Sequence, residues 1–363
     1  MFASTRPIVN KLTKPFPLAS SEDNSRGFLP YGAELHDLLG SNINGAVVRQ
    51  LEAALLHPIR DLTEHHGKRI RGQLVILSHR LVGGVTPPSL RAEQQLRICV
   101  EAVESIHAAS LVVDDIEDGS RTRRGRLALH VRYGMPVALN AGNWLYFWPF
   151  EMLKKLELSQ EKLLFVYEHY HRTLLRAHFG QALDLGSQVD RLPPDEIGEV
   201  CRASMLLKTG ALIGFAVSLG GLMGGASERV LRMLDDFGRD LGVALQMFDD
   251  LGNIVGRCEP SKQYEDLMLY RPSWAWACAA ETSSIRDFSR FVCAVRKLPV
   301  ADDLRVWLED HDLVALGRQR AHDHMSGIFQ RLEQQLNGEP IAWSEQALGE
   351  LRKLGKEIAV AYG

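Results

Sequence analysis

From about residue 33 to residue 361 the apolar residues of this chain recur three and four positions apart, and no run of β-branched residues alternates with period two. A chain patterned this way must bury stripes of helix against other helices, because it offers no sheet to cover. The periodicity predicts helices over 33–56, 66–83, 89–118, 136–156, 158–187, 195–225, 228–256, 262–280, 284–297, 301–336 (interrupted within) and 343–361. Turn residues fall in the gaps, as "GGVTPP" at 83–88, "GMP" at 134–136, "RLPPDE" at 191–196 and "NGEP" at 337–340. There is no internal repeat, low-complexity tract or linker. The expected fold is therefore all-α, a single large helical bundle around a central cavity over 31–363, behind a flexible extension at 1–30.

Charge and cysteine content narrow the partners. The net charge is −3 over 363 residues, so no global basic field recruits nucleic acid or an acidic membrane. Cys99, Cys201, Cys258, Cys278 and Cys293 are widely spaced, with no CxxC pair, and read as reduced thiols of a cytoplasmic protein. The first 21 residues hold no acid and three basic residues but no apolar core for secretion. "TGALIGFAVSLGGLMGGAS" at 209–227 has 19 uncharged positions, close to the ~20 that span a bilayer. Six of them are glycine and no other segment resembles a span, so a buried bundle helix is expected, with no stable membrane insertion.

Chemistry enters with "LVVDDIEDGS" at 111–120. Asp114, Asp115 and Asp118 stand at i, i+1 and i+4, a like-charge patch that destabilises a helix unless something neutralises it. A hard cation such as magnesium does so and leaves room for phosphate oxygens. Alone, the patch reads equally well as a solvated acidic helix end. But "QMFDDLGN" at 246–253 repeats the spacing with Asp249, Asp250 and Asn253, one turn after Gln246. Two such helices facing each other across a bundle make a pocket with carboxylates on both walls.

Cations accompany both clusters. "RTRRGR" supplies Arg121, Arg123, Arg124 and Arg126, and "GKRIRG" supplies Lys68, Arg69 and Arg71 at an early helix start. Guanidinium forks suit phosphate, as do helix N-termini, although "GKRIRG" by itself reads better as a solvated helix end. Glu104, His107, Asp114 and Asp118 form a polar stripe on an apolar segment. Carboxylates, cations and apolar walls together suit a ligand with a diphosphate head and a hydrocarbon tail.

These motifs, in this order, resemble those of the trans-isoprenyl diphosphate synthases, the polyprenyl synthetase family. "GKRIR", "ESIHAASLVVDDIED…RRG", "GQALDL", "LLKTGAL" and "LQMFDDLGN" carry the resemblance from about residue 60 to 275. The compact "DDIED" and the asparagine closing the second motif are most similar to geranylgeranyl diphosphate synthases. The resemblance implies that Lys68, Arg71, His107 and Arg124 hold the diphosphate of isopentenyl diphosphate. Asp114, Asp115, Asp118, Asp249 and Asp250 would bind three magnesium ions that bridge to the allylic diphosphate. Arg123, Lys208, Gln246 and Lys262 would complete the allylic site, Thr209 would line the reacting carbon, and Gln181 and Asp184 would support it. Helices as apolar as 136–156, and the family habit, imply a homodimer.

Ala109 and Ser110, one turn before Asp114, are small where a fifteen-carbon synthase of this family carries an aromatic. Tyr146 and Phe147 are the expected floor of a cavity sized for twenty carbons; a dimer interface is their other possible setting. Three departures from the family pattern stand out: His66 in place of a glycine before Gly67, Gly72 in place of a proline, and Arg271 in place of a lysine. Other readings of the same motifs are a synthase of different chain length, a terpene cyclase on the same fold, and a non-catalytic partner subunit.

Overall fold

A computed structural model describes residues 29–30, 32–40, 43–64, 67–84, 88–256 and 262–362. Most of the expected extension at 1–30 lies outside the described residues, as do His66 and Cys258. The described residues are overwhelmingly helical, as the periodicity predicts, and gather into two compact units. One unit holds residues within 29–73 and 88–167, and the other holds 74–84 and 168–362.

The first unit contains α1 (Gly32–Leu39), α2 (Gly45–Leu51), a π-helical turn (Glu52–Leu56) and α3 (His57–Thr63). It also takes the start of α4 (Ile70–Gly83), α5 (Leu90–Glu117), α6 (Leu129–Tyr133), α7 (Met135–Leu153) and the start of α8 (Gln160–Gly186). The helix expected at 33–56 instead breaks after Leu39, where Gly40 takes φ +65°, and restarts behind Asn44, whose Oδ1 accepts from the N–H groups of Ala46 and Val47. It then runs past 56 to Thr63. A two-residue antiparallel ladder, β1 (Thr122–Arg123) with β2 (Arg126–Leu127), departs from the expectation of no strands. Too short to show any alternation, it is made by the left-handed turn at Arg124 and Gly125. Leu35, Leu56, Ile59, Ala109, Val112, Ala138, Ala141 and Leu145 form the core of this unit. Gly142 lets α7 lie close on α5, since a Cβ there would sit 3.2 Å from the side chains of Val112 and Val113.

The second unit takes the rest of α8, then α9 (Pro194–Met205), a π-helical turn (Leu206–Gly210) and α10 (Ala211–Met223). Next come α11 (Glu228–Val255), α12 (Glu265–Met268), α13 (Trp274–Thr282), α14 (Ile285–Val295), α15 (Asp302–Asp310), α16 (Leu313–Asn337) and α17 (Glu345–Tyr362). Every residue from Ala211 to Leu222 is buried, so the long uncharged stretch is the interior helix of this unit. α11 begins behind Ser227, whose hydroxyl accepts from Val230, and ends at Gly256 in the left-handed conformation. The predicted helix at 262–280 is two helices, because Tyr264 and Tyr270 take positive φ and Pro272 follows. Cys99, Cys201 and Cys278 are buried free thiols and Cys293 is an exposed one.

Candidate active site

In the first unit the acidic motif closes α5. Asp114 and Asp115 lie in its last turns, and Asp118 is the C-cap, its N–H bonded to the Asp114 carbonyl. Asp115 is 4% exposed and meets Arg123, whose Nε and Nη2 reach its Oδ1 at 2.8 and 2.5 Å. Burial works against the Arg123 charge, but the hydrogen bonds and charge of Asp115, with Asp114 and Asp118, raise its pKa overall.

The cationic loop stands close to this motif. α4 starts at Ile70 and not at 66, because Arg69 holds φ +46°, so Lys68 and Arg69 lie in the loop and only Arg71 in the first turn. Gly67 makes the arrangement possible, since a Cβ there would fall 2.6 Å from Cζ of Arg124. Gly72, where the family carries proline, has a reason of its own. Its N–H donates to Glu104 Oε1 at 2.8 Å, and a Cβ would stand 2.8 Å from Val100 Cγ1. Arg69 pairs with buried Glu101, yet burial of that carboxyl raises its pKa to about 7 in spite of the arginine. Burial, then Arg71, Arg124 and Arg123, hold His107 well below the usual imidazole range, so it is a neutral ring among cations.

In the second unit the π-helical turn carries Lys208 and Thr209. A turn of this kind re-aims side chains at functional sites. Gly180 of α8 admits it, because a Cβ there would be 2.2 Å from the Lys208 nitrogen. Lys208 Nζ lies 2.7 Å from Asp184 Oδ2, which also faces Arg271 at 3.7 Å. Thr209 donates to Gln246 Oε1 at 2.7 Å, Gln246 donates to Asp250 Oδ1 at 2.8 Å, and the Trp274 N–H donates to Asp250 Oδ2 at 2.6 Å. Asp250 is 5% exposed while its neighbour Asp249 is exposed. Burial and then Asp266 raise the Asp250 carboxyl well above its usual range, against the two hydrogen bonds it accepts.

The structure adds contacts at several residues read from the sequence. Asn253 donates from Nδ2 to the Lys262 carbonyl at 2.8 Å, clipping the chain after α11 back onto its end. Lys262 Nζ faces Glu265 at 3.8 Å. Phe147 is 69% exposed in an apolar groove of about 510 Å³ with Leu35, Leu39, Leu55, Trp144 and Trp148, so it does not floor a cavity beside Ala109. Seven-residue phasing explains this: Ala141, Leu145 and Trp148 take the inner face of α7 and leave 147 outward. Tyr146 is half-buried against the core that contains fully buried Ala109, and Ser110 bonds back to the His107 carbonyl.

Sequence reasoning missed Glu101 and Asp266. Asp266 is the more consequential. Burial, then Asp184, Asp249 and Glu265, raise its pKa to about 7, with Arg271 opposing. No spacing in the sequence linked it to Asp250, which lies sixteen residues earlier on another helix.

The donor sets suit a hard divalent ion. All are carboxylate oxygens, and burial first, then neighbouring acids, raise the Asp250 and Asp266 carboxyls. Among the described residues no three such groups converge as a cage.

Taken together, the helical architecture and the two acidic motifs define a protein of the isoprenoid synthase fold. Residues 52–297 match the polyprenyl synthetase model, and the chain belongs to the polyprenyl synthetase family. It is 35% identical over 288 residues to the short chain isoprenyl diphosphate synthase of Methanothermobacter thermautotrophicus, covering 77% of this chain and 84% of that one. It is 32% identical over 219 residues to the geranylgeranyl diphosphate synthase of Sulfolobus acidocaldarius, covering 60% of this chain and 62% of that relative, less than two thirds of its length. A similar solved structure is the geranylgeranyl pyrophosphate synthetase from Pyrococcus horikoshii Ot3, at TM-score 0.69 and 25% identity over 84% of this chain and 90% of that one.

Proposed function

We propose that this protein is a trans-prenyltransferase that joins isopentenyl diphosphate head-to-tail to an allylic diphosphate, with geranylgeranyl diphosphate as its main product. The observation that carries the reading is neutral His107 beside Arg71, Arg123 and Arg124, next to a loop that Gly67 opens for Arg124. That is a diphosphate site additional to the aspartate motifs, and a cyclase, which ionises one diphosphate, has no use for it.

In this reading Lys68, Arg71 and Arg124 hold the isopentenyl diphosphate head by charge-assisted hydrogen bonds, and His107 adds an uncharged N–H. The family resemblance assigns Lys208, paired with Asp184, and Arg123, paired with Asp115, to the allylic head, where cations stabilise charge on the departing diphosphate. Magnesium, held by Asp114, Asp115, Asp118, Asp249 and Asp250, would supply the remaining charge neutralisation. The allylic C–O bond breaks to give diphosphate and a carbocation, which the aligned double bond attacks; a proton then leaves for the released diphosphate. Excluding water protects the cation from quenching.

The twenty-carbon product is supported by small Ala109 and Ser110 and by relatives named as geranylgeranyl diphosphate synthases. The apolar groove that contains Phe147 supports a homodimer. The test is incubation with labelled isopentenyl diphosphate, magnesium and each allylic primer. Isopentenyl-dependent formation of twenty-carbon diphosphate is expected. Diphosphate release without incorporation would overturn the transferase reading, whereas a product of fifteen or more than twenty-five carbons would overturn only the chain length.

A further inference from the structure

A second set of cations in the second unit lies outside every group assigned to the reaction. Arg172 and Arg176 stand on α8, one turn apart, and Arg239 stands on α11, seven residues and so two turns (~10 Å) before Gln246. Between them lies Asp235, with Oδ1 3.3 Å from His169 Nε2 and Oδ2 3.8 Å from Arg176 Nη1. Gly214 of α10 is what lets this polar group sit against an otherwise apolar helix. A Cβ there would be 2.6 Å from Asp235 Oδ1 and 2.7 Å from Arg239 Cγ. His169 is braced by a stacked Phe215, ring centroids 5.3 Å apart.

The acidic side of this cluster does not satisfy the basic side. Arg239 Nε is buried and has no acceptor among the described residues, and the nearest carboxylate of its own helix, exposed Asp236, is 3.9 Å from Nη1. Arg176 is held below the usual guanidinium range, by burial first and then by Arg239, even with Asp235 nearby. Arg176 and Arg239 face Asp235 and Asp236 at distances too long for charge-assisted hydrogen bonds, and Arg172 adds a third positive charge beside Arg176. The side chains of Arg176 and Arg239 remain 29% and 21% exposed, so a ligand can reach them.

We propose that Arg172, Arg176 and Arg239 form a binding site for a small oxyanion of the phosphate class, separate from the substrate sites. The guanidinium forks supply planar donors that match phosphate or diphosphate oxygens, and Gly214 lets Arg239 lie against α10. An oxyanion here bridges α8 and α11, the helices that carry Asp184 and Gln246, and therefore braces the second unit from outside its reacting groups.

The test is calorimetric titration of the full-length protein with sodium diphosphate and, separately, sodium phosphate, at constant ionic strength and with divalent ions chelated. An Arg71→Ala/Lys208→Ala background removes a cation from each proposed substrate site, and heat of binding makes the readout independent of turnover. In that background an oxyanion is expected to bind and to raise the melting temperature. Arg239→Gln and, separately, Arg176→Gln should each weaken binding about tenfold, the worth of one charge-assisted hydrogen bond, and Arg239→Lys should recover part of it. Preference for diphosphate would point to the product released by the reaction, and equal affinities to free phosphate. Unchanged affinity in both glutamine variants, or loss of all binding in the background alone, would overturn the proposal. So would a protein that binds no oxyanion but loses self-association in Arg239→Gln, which would give the cluster to a carboxylate of a second copy.

Discussion

The two aspartate motifs are spelled almost alike and sit in opposite electrostatic surroundings. In each, the second aspartate turns inward: Asp115 is 4% exposed and Asp250 is 5% exposed. Asp115 finds a guanidinium, and burial first, then three arginines, hold His107 well below the usual imidazole range. Asp250 finds only neutral donors, the Gln246 amide and the Trp274 N–H, and its neighbours Asp266 and Asp249 are acids. The buried acid of the first motif is paired with a guanidinium, while that of the second is pushed toward its protonated form by burial and by neighbouring acids. Equal spacing thus fixes which helix face a carboxylate occupies but not what faces it.

The sharpest way to break this comparison is to remove one acid at a time. Asp249→Asn, at an exposed position, should cut turnover by about a hundredfold or more while leaving the melting temperature close to that of the parent. Asp250→Ala should cut turnover similarly and also cost roughly 1–3 kcal/mol of stability, because the buried Trp274 N–H loses its acceptor. Steady-state rates with thermal unfolding decide it. Equal stability of the two variants would mean that Asp250 is not the structural member of its pair.

A smaller effect separates the motifs by pH. Asp266 has its pKa raised from 3.8 to about 7, so its folded form holds the proton more tightly than the unfolded chain does. Its stabilising contribution is complete below pH ~4 and is lost as pH rises through about 7. Without divalent ions, the melting temperature should therefore drop between these limits, and Asp266→Asn should flatten that part of the profile. Magnesium should flatten it too. If Asp249→Asn still shows the full magnesium effect on melting, the second motif is not where the metal acts.

How much of this was visible in the sequence depends on the physical origin of each feature. Helix periodicity reported burial, so the elements and the interior position of α10 were legible from the apolar pattern. Spacing on one helix reported which acids share a face, so both motifs were legible. Features created between distant segments were not. The charge of Asp266 on α12 acts on Asp250 of α11, and the π-helical turn under Lys208 depends on Gly180 of another helix. Phe147 went astray for a related reason: a run of aromatics in "NWLYFWPF" says that α7 is apolar all round, and only its packing on α5 says which side faces in.

The arginines beside the first motif can be tested through Gly67. Gly67→Ala puts a Cβ 2.6 Å from the Arg124 guanidinium carbon, so the arginine must shift. Loss of one charge-assisted contact predicts about a tenfold rise in KM for isopentenyl diphosphate, with the allylic partner's KM nearly unchanged. A matching rise for both substrates would show that Arg124 serves both heads, and the first motif would then be less distinct from the second than its surroundings suggest.

The smallest expected effect asks whether the last position of the second motif belongs to the metal chemistry at all. By spacing, Asn253 is the counterpart of Asp118, and Asn253→Asp would give the second motif the same three acids as the first. The structure gives Asn253 another task, since its Nδ2 donates to the Lys262 carbonyl and its own carbonyl accepts from Tyr264. An aspartate there has no N–H to donate and would set a carboxylate against a carbonyl oxygen. The clip after α11 would loosen, at a cost of about 1 kcal/mol. Lys262 and Asp266 follow that clip directly, so turnover should fall only a few-fold, with no gain in magnesium affinity. Tighter magnesium binding in Asn253→Asp, measured calorimetrically beside the parent, would show that a third acid can join the second motif and that its asparagine restrains metal binding.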